Sequence, residues 1–296
     1  MSNNFNYFTT LKLKYRTILL SGLTFFFIGL IYVVNQTPLY EVSIIIDQAD
    51  EEAKGASTNS FVSMALGQAN SNASKFYYQV EEAIFSLRVT KKYEENYDGL
   101  NFFYGRFFNK QSGQYSPIWN LSNRLKFIKF KMIGTNYSPV PNTYLLNKFI
   151  KQSISVTYDE FADLIYIQSL TSSPEKIGYM IDNLIKETDD YFKLQESSQI
   201  NERISFLTEE LSKISSISQR EAITSILEGQ LLKKALIGTN ELYKIKIVRG
   251  IESSEYPVQP NILFLVSLFT VFGLLISTMY FILTSYISNE SNASTN

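Results

Sequence analysis

ILFLVSLFTVFGLLISTMYFILTSYI, Ile262–Ile287, runs for 26 residues without a charge. A helix needs about 20 apolar residues to cross the hydrocarbon core of a bilayer, so this stretch reads as a membrane span. Its counterpart near the other terminus is ILLSGLTFFFIGLIYVV, Ile18–Val34, 17 residues that also lack a charge. That length is close to the lower limit for spanning. Tyr15 and Tyr32 stand near the ends of the first stretch, Tyr280 and Tyr286 near the ends of the second, where an amphipathic ring suits the headgroup region. Lys12, Lys14 and Arg16 precede the first stretch as they would in a signal peptide. Asn35, Gln36, Thr37 and Pro38 follow it, without the pair of small residues that cleavage needs. An uncleaved anchor is expected.

The flanks set the expected orientation. Residues 1–17 hold three basic residues and no acidic one, whereas Glu41, Asp47, Asp50, Glu51 and Glu52 follow the span against a single Lys54. Basic residues stay on the cytoplasmic side. The expected layout is a cytoplasmic tail at 1–17, a span at 18–34, an outer domain at 35–261, a second span at 262–287 and a cytoplasmic tail at 288–296. The stretch from 36 to 260 carries 27 of the 28 acidic residues and 24 of the 27 basic ones. It is long enough to form its own core.

Composition removes whole classes of chemistry. Cysteine and histidine are both absent, which excludes disulfides, thiol nucleophiles, histidine triads and imidazole or thiolate metal sites. A net charge of −1 gives no basic excess for nucleic acid. No GxxxxGK[ST] occurs, so no P-loop kinase is expected on the chain. The remaining enzyme hypothesis is a carboxylate pair. Asp159, Glu160 and Asp163 cluster at one expected turn, and Asp189 and Asp190 lie on a helix. A glycosidase needs two carboxylates facing each other across a cleft, and nothing in the sequence places a second group opposite the first. No catalytic residue, cofactor or metal is expected.

Within the outer domain, YEVSIII at 40–46 reads as a strand. Residues 47–74 read as a loop with at most one short helix around Phe61–Leu66. Lys75–Asn96 reads as one helix with Phe76, Val80, Ile84, Leu87 and Lys91 on a stripe, ended by Gly99. The tract from 100 to 118 is dense in aromatic residues and reads as core plus loop, with a membrane-surface or sugar-stacking patch as the sharper alternative. Arg124, Lys126, Lys129 and Lys131 follow among apolar residues and read as a solvated basic face, with acidic glycan or lipid headgroups as the sharper alternative. A proline turn at 138–142 leads to a hairpin of strands at 154–158 and 164–168.

Pro174 then opens a long helical pattern. Ile177, Ile181, Leu184, Thr188 and Tyr191 recur at threes and fours, and Ile200, Ile204, Leu207 and Leu211 continue the stripe. Near-heptad persistence of this kind marks a long helix that packs on another, as in a coiled coil. The serines of SKISSIS, Ser212–Ser218, weaken the helix, so a reversal is expected at 214–218 with a descending helix at 219–237. The helical arm is placed at 175–237. YKIKIV, 243–248, is the final strand. It can join the sheet made by the strand at 40–46 and the 154–168 hairpin; if the terminal strands pair, they hold the two anchors side by side. The fold class is thus an α/β (α+β) domain with a long projecting helical arm, flanked by two transmembrane helices.

Small residues in the spans, Gly22 and Gly29 in the first and Gly273 and Ser277 in the second, are candidates for span packing because they let backbones approach. Pro257 and Pro260 are candidates for a rigid linker into the second span. Ile200, Ile204, Leu207 and Leu211 are packing residues of the arm.

This organisation resembles the polysaccharide co-polymerases, the O-antigen chain-length determinant family of bacterial inner membranes. The resemblance rests on PLYEVSIII (38–46) after the first span, YIQSLTSSPEKIGYMIDNLIKETDDYF (166–192), EGQLLKKAL (228–236) late in the arm, and YPVQPN (256–261) before the second span. It implies an inner-membrane protein with both termini cytoplasmic and a periplasmic α/β base. It also implies a ring-like homo-oligomer that partners a membrane glycan polymerase and its lipid-linked polysaccharide. The implied activity is non-enzymatic control of chain length in lipopolysaccharide biosynthesis. Two alternatives stand beside it. One is a capsule or exopolysaccharide co-polymerase served by a separately encoded tyrosine kinase or exporter. The other is a two-span periplasmic sensor.

Overall fold

The computed structural model describes residues 7–49, 69–239 and 242–294. It divides into two units. One comprises Met1–Glu41, Thr171–Ser173 and Ser254–Asn296, the other Val42–Leu170 and Pro174–Ser253.

The first unit is built on two long apolar helices, α1 (Tyr7–Val34) and α9 (Ile262–Ser294). Their membrane-compatible parts are Lys14–Val34, 21 residues, and Ile262–Thr284, 23 residues. At 1.5 Å per residue these are about 32 and 35 Å long, enough to cross a bilayer. The first is longer than the uncharged run alone, because helix α1 continues through Tyr15 and Arg16, whose polar ends suit an interface. Asn261 caps α9 by accepting from the Phe264 N–H at 3.1 Å. The segments next to the helices pair with each other: the Leu39 N–H donates to the Gln259 carbonyl at 2.9 Å, and the Val258 N–H donates to the Leu39 carbonyl at 2.8 Å.

The second unit holds a four-stranded sheet of β1 (Tyr40–Gln48), β4 (Ser155–Asp159), β5 (Leu164–Thr171) and β6 (Ile245–Ser253), in the order β4-β5-β1-β6. Strands β4 and β5 form the expected antiparallel hairpin, from Ser155 opposite Gln168 to Asp159 opposite Leu164. Strands β1 and β6 pair antiparallel, from Val42 opposite Ser253 to Gln48 opposite Ile245, with a bulge around Ile45. The final strand therefore joins the same sheet as β1 and the hairpin, as the second neighbour of β1. Val42, Ile44 and Ile46 alternate into the core, as period-two geometry requires.

Helix α7 (Pro174–Lys213) is 40 residues long, about 60 Å. Its first half lays Ile177, Met180, Ile181, Leu184, Ile185 and Phe192 into the core with the sheet residues. Its second half pairs with α8 (Ile217–Ile237), and the reversal falls at 214–216, among the serines. The arm stripe is graded. Ile200 is 2% exposed, whereas Ile204, Leu207 and Leu211 are half-buried.

Several local expectations need correction. The single helix expected at Lys75–Asn96 is two, α2 (Ala69–Ile84) and α3 (Leu87–Tyr97). Ser86 breaks it, because its hydroxyl accepts from the Val89 N–H at 3.1 Å and caps α3. The break rotates the stripe, so Val89, Thr90 and Tyr93 are buried, while the Lys91 side chain is 69% exposed. Asn147 takes up the freed carbonyl of Phe85 at 3.0 Å and donates also to Thr90 Oγ1 at 2.7 Å. It lies on α6 (Thr143–Ser153), a helix the sequence reading did not anticipate. The aromatic tract folds as α4 (Gly99–Tyr104), a 3-10 turn and a short hairpin of β2 (Phe108–Asn109) and β3 (Gln114–Tyr115). Phe103 packs on Phe149 at 4.8 Å and Phe102 on Tyr179 at 5.5 Å, so part of the tract closes the core edge. The basic segment forms α5 (Leu121–Met132). The short helix expected around Phe61–Leu66 lies outside the described residues, and residues 69–74 are helical rather than loop.

Burial grades the arm stripe in a way that a melting experiment on the full chain in detergent can read. Ile200→Asp should cost about 3 kcal/mol or more, since the buried charge has no partner. Ile204→Asp, at a half-wet position, should cost clearly less. Equal losses would contradict this grading.

Candidate functional site

The point where α7 leaves the core is also where the returning chain is caught. Asp189 is fully buried. Its Oδ2 accepts from the Tyr243 N–H at 2.7 Å, and its Oδ1 accepts from the N–H groups of Lys244 at 2.7 Å and Ile245 at 3.1 Å. Lys193, one turn on, brings its ammonium within 3.4 Å. Three backbone donors and a cation together compensate a carboxylate that burial would otherwise penalise. The arrangement explains why β6 starts at Ile245 rather than at Tyr243: the carboxylate takes the N–H groups of the expected first residues.

Around this latch lies a cleft of about 530 Å³, lined by Lys75, Gln79, Glu82, Tyr191, Glu196 and Lys244 among others. Lys244 faces Glu196 at 3.5 Å and sits 5.5 Å from the centre of the Phe192 ring. The walls offer amides, a phenol and a balanced set of charges. They are equipped to hydrogen-bond a polar partner. Among the described residues no group of three or more histidine, cysteine or carboxylate side chains is placed to hold a metal ion.

The clustered acids at the β4–β5 turn build the turn itself. Asp159 Oδ1 accepts from the N–H groups of Phe161 at 2.9 Å and Ala162 at 3.1 Å, an Asx turn. Asp163 has a φ of 56°, in the left-handed region, and accepts from the Tyr158 hydroxyl at 2.7 Å. That bond pushes the Tyr158 phenol up to about 12. Glu160 is exposed. Asp190 is exposed on α7 and 3.2 Å from Lys193.

In the terminal-helix unit, the small residues meet large ones. A Cβ on Gly22 would stand 2.7 Å from Leu274, one on Gly29 3.0 Å from Phe269, and one on Gly273 2.6 Å from Phe25. Ser277 is 9% exposed, and the Ser21 hydroxyl donates to the Gly273 carbonyl at 3.1 Å. These contacts run in opposite chain directions, so α1 and α9 are antiparallel. The span-packing residues thus line a seam inside one chain. Pro257 and Pro260 flank Val258 and Gln259, the residues that hydrogen-bond Leu39, and the Gln259–Pro260 peptide is cis.

Asp189 is the residue whose role sequence reasoning missed. A signal was present: it falls four residues after Ile185 and three before Phe192, in phase with the buried stripe. No protein-family model matches the chain, and no curated protein matches it significantly.

Two substitution series follow from this geometry. Asp189→Ala should destabilise the chain by about 3 kcal/mol by stranding buried donors, whereas Asp190→Ala should change stability by about 0–1 kcal/mol, both read by melting in detergent. Gly273→Ala should cost about 1–3 kcal/mol through overpacking, and adding Phe25→Ala should recover part of that loss; no recovery would argue against the seam.

Proposed function

We propose that the chain is a non-enzymatic regulator of polysaccharide chain length, O-antigen being the expected glycan. It acts as an oligomeric scaffold for a membrane glycan polymerase in the bacterial inner membrane. In this reading both termini are cytoplasmic and the sheet domain is periplasmic. The observation that carries the reading is the combination of two anchor-sized helices with the antiparallel pairing of β1 and β6. A domain whose first and last strands are neighbours brings its two ends together, which suits tethering by two anchors, and the part of α7 beyond Phe192 with the 21-residue α8 supplies an arm of about 30 Å. Exposed Phe206, Ile226, Leu231 and Leu232 on that arm supply apolar surface for contact between copies. The residue chemistry supports a scaffold: the carboxylates of Asp159, Asp163 and Asp189 hold backbone and phenol groups in place. The orientation is supported by Lys12, Lys14 and Arg16 ahead of α1.

Deleting the gene and running surface glycan on a gel tests the activity. Loss of a preferred length with polymerisation retained is the expected outcome; an unchanged length distribution would refute the proposal. Alkaline phosphatase inserted at the exposed Gly229 should be active if the domain is periplasmic, and inactivity there would overturn the orientation.

A further inference from the structure

Helix α5 is apolar on two opposite faces. The inner face is partly covered, with Phe127 and Phe130 each 37% exposed. Phe127 packs on Trp119 at 5.3 Å, Phe130 stacks on Tyr137 at 5.3 Å, and Asn123 donates to the Ile118 carbonyl at 2.8 Å while accepting from the Tyr137 hydroxyl at 3.0 Å. The outer face carries Leu121, Leu125, Ile128 and Met132, spaced i, i+4, i+7, i+11, and these are 76, 60, 55 and 83% exposed. A stripe at that spacing is one continuous ridge. At 100° per residue, Arg124 and Lys131 fall along one side of the ridge and Lys126 and Lys129 along the other. The charge bias extends beyond the helix. From Gly99 to Tyr158 the chain has eight basic residues and no acidic one.

We propose that the outer face of α5 is an interfacial membrane-binding surface that seats its aliphatic ridge in anionic lipid. An aliphatic stripe flanked on both sides by long cationic side chains is the pattern of a helix lying in the headgroup plane, its stems buried and its charges raised to the phosphates. Each basic residue near an anionic surface adds to the attraction. The ridge itself is aliphatic, which suits acyl chains; sugar rings prefer flat aromatic faces, and the helix carries its phenylalanines on the other face, against Trp119 and Tyr137. A second copy docking the same face would oppose basic flanks to basic flanks. The inference rests on the reading of α1 and α9 as anchors, since tethering supplies the bilayer at high effective concentration.

The cysteine-free chain makes the test direct. An environment-sensitive fluorophore on Leu125→Cys, in the full chain reconstituted into vesicles, reads this face alone. Glu221→Cys on α8 serves as the exposed reference. In phosphatidylglycerol-rich vesicles the label at position 125 should shift to the blue and be quenched by brominated lipid. In pure phosphatidylcholine it should do so several-fold less, and ~1 M salt, with a Debye length of about 3 Å, should remove the difference. Leu121→Asp with Ile128→Asp in the labelled Leu125→Cys chain should abolish the blue shift and the lipid quenching without lowering the melting temperature. A label that stays wet in carbonate-resistant vesicles overturns the lipid contact and leaves the anchorage standing, whereas chain that washes off in carbonate overturns both. Protection that follows protein density rather than lipid charge would assign the face to a second copy, and protection by soluble alginate alone would assign it to an acidic glycan; either overturns the proposal.

Discussion

The pairing of β1 with β6 is the constraint on which the rest of the sheet unit depends. It joins Val42 to Ser253 and Gln48 to Ile245, so nearly the whole domain is a loop closed by one ladder. Closing so long a loop carries an entropy cost that rises slowly with length. The cost is met by burying Val42, Ile44, Ile46 and Ile245 in the same core. With this ladder in place, the remaining elements are excursions that leave β1 and return to β6.

The longest excursion is the arm, and its return is guided by charge. Helix α7 stays in the core as far as Phe192 and then runs beside α8. A chain coming back from a reversal far along the arm has no local reason to begin β6 in a given register. Asp189 supplies one by holding three consecutive N–H groups. A buried carboxylate with one acceptable set of partners specifies register in a way that an apolar contact cannot, because its misplacement leaves a bare charge. In the terminal-helix unit, register is specified sterically instead, by Gly22, Gly29 and Gly273 opposite Leu274, Phe269 and Phe25.

Much of this was legible before the structure. The uncharged runs located the terminal helices, and the threefold and fourfold recurrence from Ile177 located α7 and its serine-marked reversal. Alternation located β1 and the β4–β5 hairpin. What was not legible depended on partners remote in sequence. Ser86 splits α2 from α3 at a point where the apolar pattern runs on, and the break is made tolerable by Asn147, more than fifty residues away. Helix α6 escaped notice because it is only 11 residues long and its buried face includes that asparagine. The basic tract around 124–131 reads in sequence as a solvated face, yet its helix carries an exposed aliphatic ridge between the charges.

The amino-acid sequence by itself determined the two apolar helices, the class of the domain between them and the long helix with its turn, because hydropathy and periodicity are local properties of the chain. Only the tertiary structure decided which strands are neighbours, that Asp189 is a latch and that the span glycines face aromatic and aliphatic knobs across one seam. Those outcomes depend on which distant group satisfies a buried polar atom or fills a notch, and no window along the chain contains both partners.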